Sequence, residues 1–412
     1  VDVLCNEIGK KCGKHFLLSN LYASARGMIL AALHARIKLH SAAPAMLIVM
    51  DNADDAQYMY ADIKTLTQAQ DVYYFPNSHR RRQGKDEATA VLRTEVLSAL
   101  LNTMRSLEDA SLQDGSKTAY SLKARPIIIT YPEALAESVP QPQSLQGKTI
   151  SLSVGEEIAI SQLTEMLLEL DFKRVDFVYE PGQFAVRGGI VDVYSYACDT
   201  PVRIDFFGDE IDSIREFELE TQLSQNKVDI VSIVASSSDE KSMTDITAYL
   251  PPKTLWICND FGLANYKIRS TITEFDAAVI LQAMEAASTI ELNQKSTYTT
   301  HSQVAFDTLP QPIFNKNFDL LIDDLQQRTK DGYRIYILAD QAKQTDRLKA
   351  IFDDKESGIE FVAVDHALHE GFIDHSAKVC CYTDHQIFER YHRVTLRSEN
   401  ARRGKAIITL KE

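Results

Sequence analysis

No apolar run in this 412-residue chain approaches the roughly twenty residues needed to cross a bilayer, and Val1–Phe16 lacks the apolar core of a signal peptide. A cytoplasmic protein with no membrane partner is the expectation; the chain opens on Val1 rather than Met, which fits an excised fragment. The six cysteines (Cys5, Cys12, Cys198, Cys258, Cys380 and Cys381) contain no CxxC pair, and their scatter suits reduced thiols. Cys380 and Cys381 sit in the apolar run Val379–Tyr382 and read as buried strand residues rather than ligands. Positive charge is also short: 44 Lys and Arg face 58 Asp and Glu, and the net charge of −14 disfavours strong non-specific DNA binding by the chain as a whole. The most basic stretch is His79-Arg80-Arg81-Arg82 with Lys85. A solvated loop is its simplest reading, and a weak DNA contact through Arg80, Arg81 and Arg82 its functional one.

Catalytic signatures are equally scarce. A phosphate-cradling loop needs two glycines and a Lys-Ser/Thr pair between a strand and a helix. Gly9-Lys10-Lys11-Cys12-Gly13-Lys14-His15 is one residue short, lacks the hydroxyl and follows no strand. In the right context, after Phe16–Leu18, the chain reads Ser19-Asn20-Leu21-Tyr22-Ala23-Ser24-Ala25-Arg26, with neither glycine nor lysine. Asp86-Glu87-Ala88-Thr89 imitates a helicase acidic box but opens a helix, where acidic residues favour the N-terminus. Asp51 and Asp54-Asp55 follow a strand and read as helix capping. His366, His369, His375, His385 and His392 contain no zinc-type spacing and read as a chance cluster in loops. No catalytic, nucleotide-binding or metal-binding residue, and no cofactor, is expected.

What is present is α/β alternation. Strands are expected at Phe16–Asn20, Ala45–Met50, Val72–Phe75 and Pro126–Thr130, with helices from Ala25, over Asp51–Lys64, over Glu87–Ser106 and over Tyr131–Ser138. Val139–Gly147 reads as a linker. A helix within Gly155–Asp171 carries Leu163, Met166, Leu167 and Leu170 on one side, with Ser161 as its N-cap. Ile230–Val234 and Thr254–Cys258 are expected to return to the first sheet, followed by a helical Ala277–Ala287 and a polar connector, Asn293–Gln303. A last α/β unit combines helices Leu320–Thr329 and Gln341–Phe352 with strands Arg334–Ala339, Ile359–Val364 and Lys378–Tyr382. A basic, extended tail covers Arg397–Lys405. The expected division is 1–147 and 227–312 for a parallel-sheet α/β domain, 148–226 for an inserted β-rich α+β domain, and 313–412 for a C-terminal α/β domain.

The chain is organised around Phe172–Ser224, short β-runs punctuated by Gly182, Gly188-Gly189, Pro201 and Gly208-Asp209. In Val202–Phe207, period-two alternation puts Val202, Ile204 and Phe206 on one face and Arg203, Asp205 and Phe207 on the other. The first is a core face. The second holds residue types that dominate protein–protein hot spots, though a solvated Arg203–Asp205 pair beside a tucked-in Phe207 satisfies the same pattern. Arg187, ending the run before Gly188, adds a further cation from an adjacent strand.

The residues EPGQFAVRGGIVDV followed by PVRIDFFGDEIDSIREF resemble the second domain of bacterial transcription-repair coupling factors, within the module those proteins share with UvrB. The match is dense over Val178–Ser224 and looser outside it; Thr383-Asp384-His385-Gln386-Ile387-Phe388 resembles the family's TDxEIF segment. The resemblance implies a degenerate helicase-like first domain, in which Ala25 and Arg26 stand at the Lys-Thr positions of UvrB's nucleotide loop. It also implies docking to UvrA through Arg187, Arg203 and Phe207, with Asp205 orienting Arg203 and Arg174 as a further candidate. The family's polymerase-binding and translocase domains are expected beyond Glu412, so RNA polymerase would be reached only through them. A non-catalytic recruitment module is the resulting expectation. The alternative is an ATP-dependent UvrB-like or helicase-like DNA-remodelling enzyme.

Overall fold

The computed structural model describes residues 13–40, 43–68, 71–78, 80–81, 84–85, 87–112, 125–198, 200–235, 243–271, 277–296 and 298–391. His79, Arg82, Asp86, His392 and the basic tail lie outside these residues. The chain first lays down β1 (His15–Ser19), α1 (Ala25–His40), β2 (Met46–Val49), α2 (Ala53–Thr67), β3 (Val72–Tyr74), α3 (Glu87–Leu112) and β4 (Ile127–Thr130). Asn52, not an aspartate, caps α2: its Oδ1 accepts from the Asp55 N–H at 2.9 Å, while Asp54 and Asp55 occupy the first turn and favour the helix dipole.

The segment expected to be a linker is folded. Val139–Pro140 pairs with Met243–Thr244, Pro142–Gly147 is a short helix, and the Tyr249 hydroxyl donates to the Pro140 carbonyl at 2.7 Å. Val139 and Leu145 are fully buried, and this anchoring explains why a run rich in Pro and Gln is not a tether.

A second unit follows: β5 (Thr149–Ser153), α4 (Ile160–Glu169), β6 (Lys173–Arg174), β7 (Gln183–Arg187), β8 (Ile190–Val193), β9 (Val202–Phe207), β10 (Glu210–Phe217), β11 (Ser224–Val228) and β12 (Ile230–Val234). Ala159, rather than Ser161, is the N-cap of α4, and it makes no side-chain cap bond. β12 does not return to the first sheet. It pairs antiparallel with β5 over five residues, Ile230 opposite Ser153 and Val234 opposite Thr149. Val231 and Ile233 thereby close the second unit's own core with Ile150, Leu152, Leu163 and Leu167.

The return comes with β13 (Leu255–Cys258), then α5 (Phe261–Thr271), α6 (Ala277–Ala286), β14 (Thr289–Glu291) and β15 (Ser302–Ala305). The described strands of the first sheet run β15-β1-β14-β13-β2-β4-β3, every pair parallel. Its central strands β2, β4 and β13 are almost wholly apolar and buried, as parallel strands covered on both faces must be.

The third unit comprises β16 (Thr308–Pro310), α7 (Phe318–Lys330), β17 (Arg334–Leu338), α8 (Ala342–Asp354), β18 (Val362–Val364), β19 (Phe372–Asp374), β20 (Val379–Thr383) and α9 (Asp384–Ile387). Asn317 caps α7 by accepting from the Asp319 and Leu320 N–H groups. The sheet order is β16-β19-β20-β17-β18, so two strands absent from the sequence reading, β16 and β19, form its antiparallel edge. Cys380 and Cys381 are buried in β20, and burial pushes their thiols up to about 11 and about 12. Among the described residues no helix is long and apolar enough to cross a membrane.

A charged sheet face as the candidate docking site

The second unit's described strands run β11-β10-β9-β8-β7-β6. One face packs Phe184, Val191, Val193, Val202, Ile204, Ile211 and Ile214 against α4 and the β5–β12 pair. On the other, register sets two rows across the strands. The first is Ala185, Asp192, Arg203, Arg215 and Lys227; the second is Arg187, Ile190, Asp205 and Ser213. Within these two rows four cations meet two carboxylates, and Glu210, opposite Phe207, adds a third acid at the end of the face, so cations still outnumber carboxylates.

Asp192 organises the centre. Its carboxylate is fully buried, and Arg203 grips it with two bonds, Nε to Oδ1 at 2.7 Å and Nη2 to Oδ2 at 2.9 Å. This is the fork geometry that makes Arg–carboxylate pairs directional. Arg187 reaches the same Oδ2 diagonally from β7 and donates a further bond to the Asp176 carbonyl at 3.3 Å. Each guanidinium also covers a ring, Arg187 over Phe177 at 5.0 Å and Arg203 over Phe217 at 4.8 Å. Hydrogen bonding to Asp192 holds the Arg203 guanidinium above its ordinary pKa. One carboxylate shared by two guanidiniums leaves a unit of positive charge, and Arg187, 36% exposed against 17% for Arg203, presents more of it outward.

The expected role of Asp205 is corrected by this geometry. Asp205 lies across from Ser213 rather than beside Arg203's head group; it accepts from Ser213 Oγ at 3.0 Å and pairs with Arg215 at 3.5 Å. The orienting carboxylate is Asp192. Its signal was in the sequence: Ile190-Val191-Asp192-Val193 puts a lone acid inside an apolar strand flanked by the strands bearing both arginines.

Phe207 stands at the end of β9 and is 82% exposed, while Phe206 packs toward the core. The register shifts between Asp205 and Phe206, a bulge that precedes the Gly208-Asp209 turn. Gly208 takes φ +67°, a conformation costly for residues with a Cβ. At the neighbouring hairpin Gly188 takes φ +62° and lets β7 turn directly into β8, which sets Arg187 opposite Ile190. Arg174 does not join the charged face: exposed on the edge strand β6, it is in register with Phe184 and therefore on the core side of the sheet. Phe177, half exposed beneath Arg187, and Phe217 were not singled out from the sequence.

The other sequence candidates are dispersed. Arg80–Arg81 pairs with Gly84–Lys85 as a short antiparallel ladder, not a loop. At the carboxyl ends of β1, β2 and β13 lies a crevice of about 390 Å³, lined by Ser24, Arg26, Asp51, Asp62 and Asn259 among others. There Arg26 Nε donates to the Leu21 carbonyl at 3.0 Å, and burial raises the Asp51 carboxyl. Of the histidines singled out from the sequence, His369 stacks on Tyr58, His385 binds the His369 carbonyl and His375 binds the Tyr333 hydroxyl, while His366 is exposed beside Asp365.

A family model described as the UvrB interaction domain matches residues 150–238. This segment is similar to UvrB interaction domains. It contains the whole charged face, from Arg187 on β7 to Lys227 on β11, together with the strand β12 that closes its core. The chain is 27% identical over 220 residues to the transcription-repair-coupling factor of Bacillus subtilis (strain 168), which covers 53% of this chain and 17% of that protein. It is also 27% identical over 221 residues to the factor of Staphylococcus aureus (strain USA300) and over 224 residues to that of Staphylococcus haemolyticus (strain JCSC1435), 54% of this chain and 17% of the relative in both cases. The matched stretch therefore spans about a sixth of these relatives' own length.

Proposed function

We propose that the chain is a non-catalytic recruitment module of transcription-coupled excision repair, which docks UvrA through the outer face of its UvrB interaction domain. The observation that carries this reading is the Asp192-centred pair of arginines on the same face as the exposed Phe207. Two guanidiniums fixed by one buried carboxylate need little ordering on binding, so partner carboxylates meet cations whose rotamers are already set. Phe207 supplies the apolar anchor; burying its ring in a notch is worth about 2 kcal/mol. The Asp205–Arg215 pair completes the rim.

The first sheet is read as a degenerate helicase-like scaffold. The turn after β1 offers Arg26, tied to the Leu21 carbonyl, where a nucleotide site would need a free lysine. Contacts with RNA polymerase and DNA translocation are assigned to further parts of the coupling factor. The deciding experiment is a calorimetric titration of UvrA with the chain and with Arg187→Ala, Arg203→Ala and Phe207→Ala. Tight binding by the wild type, with each variant weaker by about thirtyfold, supports the site. Wild-type affinity in all three overturns it.

A further inference from the structure

The third unit meets the first sheet through a shared apolar core that includes Leu338, Leu368, Phe372 and Cys381, through Thr308, and through two consecutive peptide groups, His369 and Glu370, with Gly371 tied back to the third unit itself. The His369 N–H donates to Asp62 Oδ1 at 2.7 Å, the Glu370 N–H to Ser24 Oγ at 2.9 Å and the Gly371 N–H to Gln386 Oε1 at 2.7 Å. His385 Nε2 donates to the His369 carbonyl at 2.8 Å. The His369 ring lies flat on Tyr58, with centroids 3.4 Å apart and planes 10° from parallel. Asp62 and Tyr58 belong to α2 and Ser24 leads into α1; His385 and Gln386 belong to α9. Residues 369–371 are thus pinned on one side to the first sheet's helices and on the other to the third unit.

Asp62 is the unusual member. Its residue is 4% exposed, and the donors facing it are the His369 N–H and the Ser24 hydroxyl. Among the described residues no Lys or Arg pairs with it. Arg26 lines the same crevice but is engaged with the Leu21 carbonyl, Asp51 and Asp55 add negative charge there, and Glu370 adds more from the opposing segment. Gly27 lies directly beneath: a Cβ there would sit 3.2 Å from Asp62 Cβ, so α1 and α2 pack closely around the carboxyl on this side and it meets the crevice only at its edge, with the residue 4% exposed.

We propose that this joint is a proton-gated clasp: closed when Asp62 is protonated, and loosened when Asp62 is ionised, releasing residues 369–371 from the first sheet's helices while the apolar core between the units stays in place. A neutral carboxyl still accepts from the His369 N–H and leaves no buried charge without a counter-ion. An ionised one is relieved by opening to water. Burial, aided by Glu370, raises the Asp62 carboxyl to about 7. The closed state therefore holds the proton more strongly than the open one. Closure is at full strength below about pH 4, weakens as pH rises toward 7, and levels off above it. This device is independent of UvrA docking.

Hydrogen exchange of the full chain, followed by mass spectrometry on peptides covering 365–372 and divided by the intrinsic rate at each pH, reads the opening directly. Opening should increase about twentyfold between pH 5.5 and 7.5 and change little beyond. Asp62→Asn, which keeps the acceptor and removes the charge, should be flat and as protected as the wild type at low pH. His369→Gln keeps the backbone bond and removes the imidazole; it should retain the step. A flat wild-type profile, a step that survives in Asp62→Asn, or a step lost in His369→Gln overturns the proposal. If Asp62→Asn does not fold, the wild-type and His369→Gln profiles still decide.

Discussion

Arg203 and Asp192 face each other directly across β9 and β8, and the guanidinium meets both carboxylate oxygens, at 2.7 and 2.9 Å. Because Asp192 also holds Arg187, removing it leaves two cations without their shared anion. Asp192→Ala should destabilise the second unit by about 3 kcal/mol, since a broken buried pair costs more than an exposed one. Urea unfolding checks this, and Asp192→Asn should cost less while still weakening UvrA binding. An unchanged midpoint for both variants would show that the carboxylate does not organise the face.

Phe207 makes the opposite case. At 82% exposed it has little to lose in the free protein, so Phe207→Ala should move stability by less than about 0.5 kcal/mol. Affinity for UvrA should fall by about 2 kcal/mol, or thirtyfold. Paired melting and titration measurements separate the two effects, and a large loss of stability would mean that the ring is a structural residue.

Arg203→Lys keeps the charge and discards the fork, because an ammonium cannot meet both oxygens in parallel or lie flat over Phe217. The variant should lose about 1 to 2 kcal/mol of stability and, in a UvrA titration, recover only part of the affinity lost in Arg203→Ala. Full recovery would reduce the site to net charge.

Gly188→Val places a β-branched residue at φ +62° in the turn that sets Arg187 opposite Ile190. A cost of about 2 kcal/mol in chemical denaturation is expected. Gly147→Ala, a helical position with no atom within 4 Å of the new Cβ, serves as the neutral control.

The pH dependence of overall stability follows from Asp62. Its carboxyl, raised to about 7 in the folded chain, favours the native state at low pH, and that contribution disappears between about pH 4 and 7. Asp62→Asn should therefore melt higher than wild type at pH 8 and match it near pH 4. Equal melting points at pH 8 would place the carboxyl at an ordinary pKa.

Much of this structure could be read from residue order where one period governs both faces. Val202–Phe207 alternates cleanly, so the core and charged faces follow from it, as do the buried runs of β2, β4 and β13. Partners across strands were not legible. The alternation places Arg203 and Asp205 on the same face, but register hands Arg203 to Asp192 and Asp205 to Arg215. Strand Ile230–Val234 shows why apolar character alone does not choose a sheet: β5 supplies a matching antiparallel edge before the first sheet is in reach. The 139–147 segment was misread because its stability comes from Met243, Thr244 and Tyr249, about a hundred residues away. The Asp62 joint joins residues about three hundred positions apart, beyond any local pattern.

β15 closes the first sheet at Ala305 and β16 opens the third unit's sheet at Thr308, with only Phe306 and Asp307 between them. Tension applied at the carboxyl end of the described chain would pass through this two-residue hinge into the sheet's edge, rather than dissipating along a slack tether. Loss of the 369–371 contacts alone would leave the outer unit seated, because Leu338, Leu368, Phe372 and Cys381 are buried in one core with the first sheet.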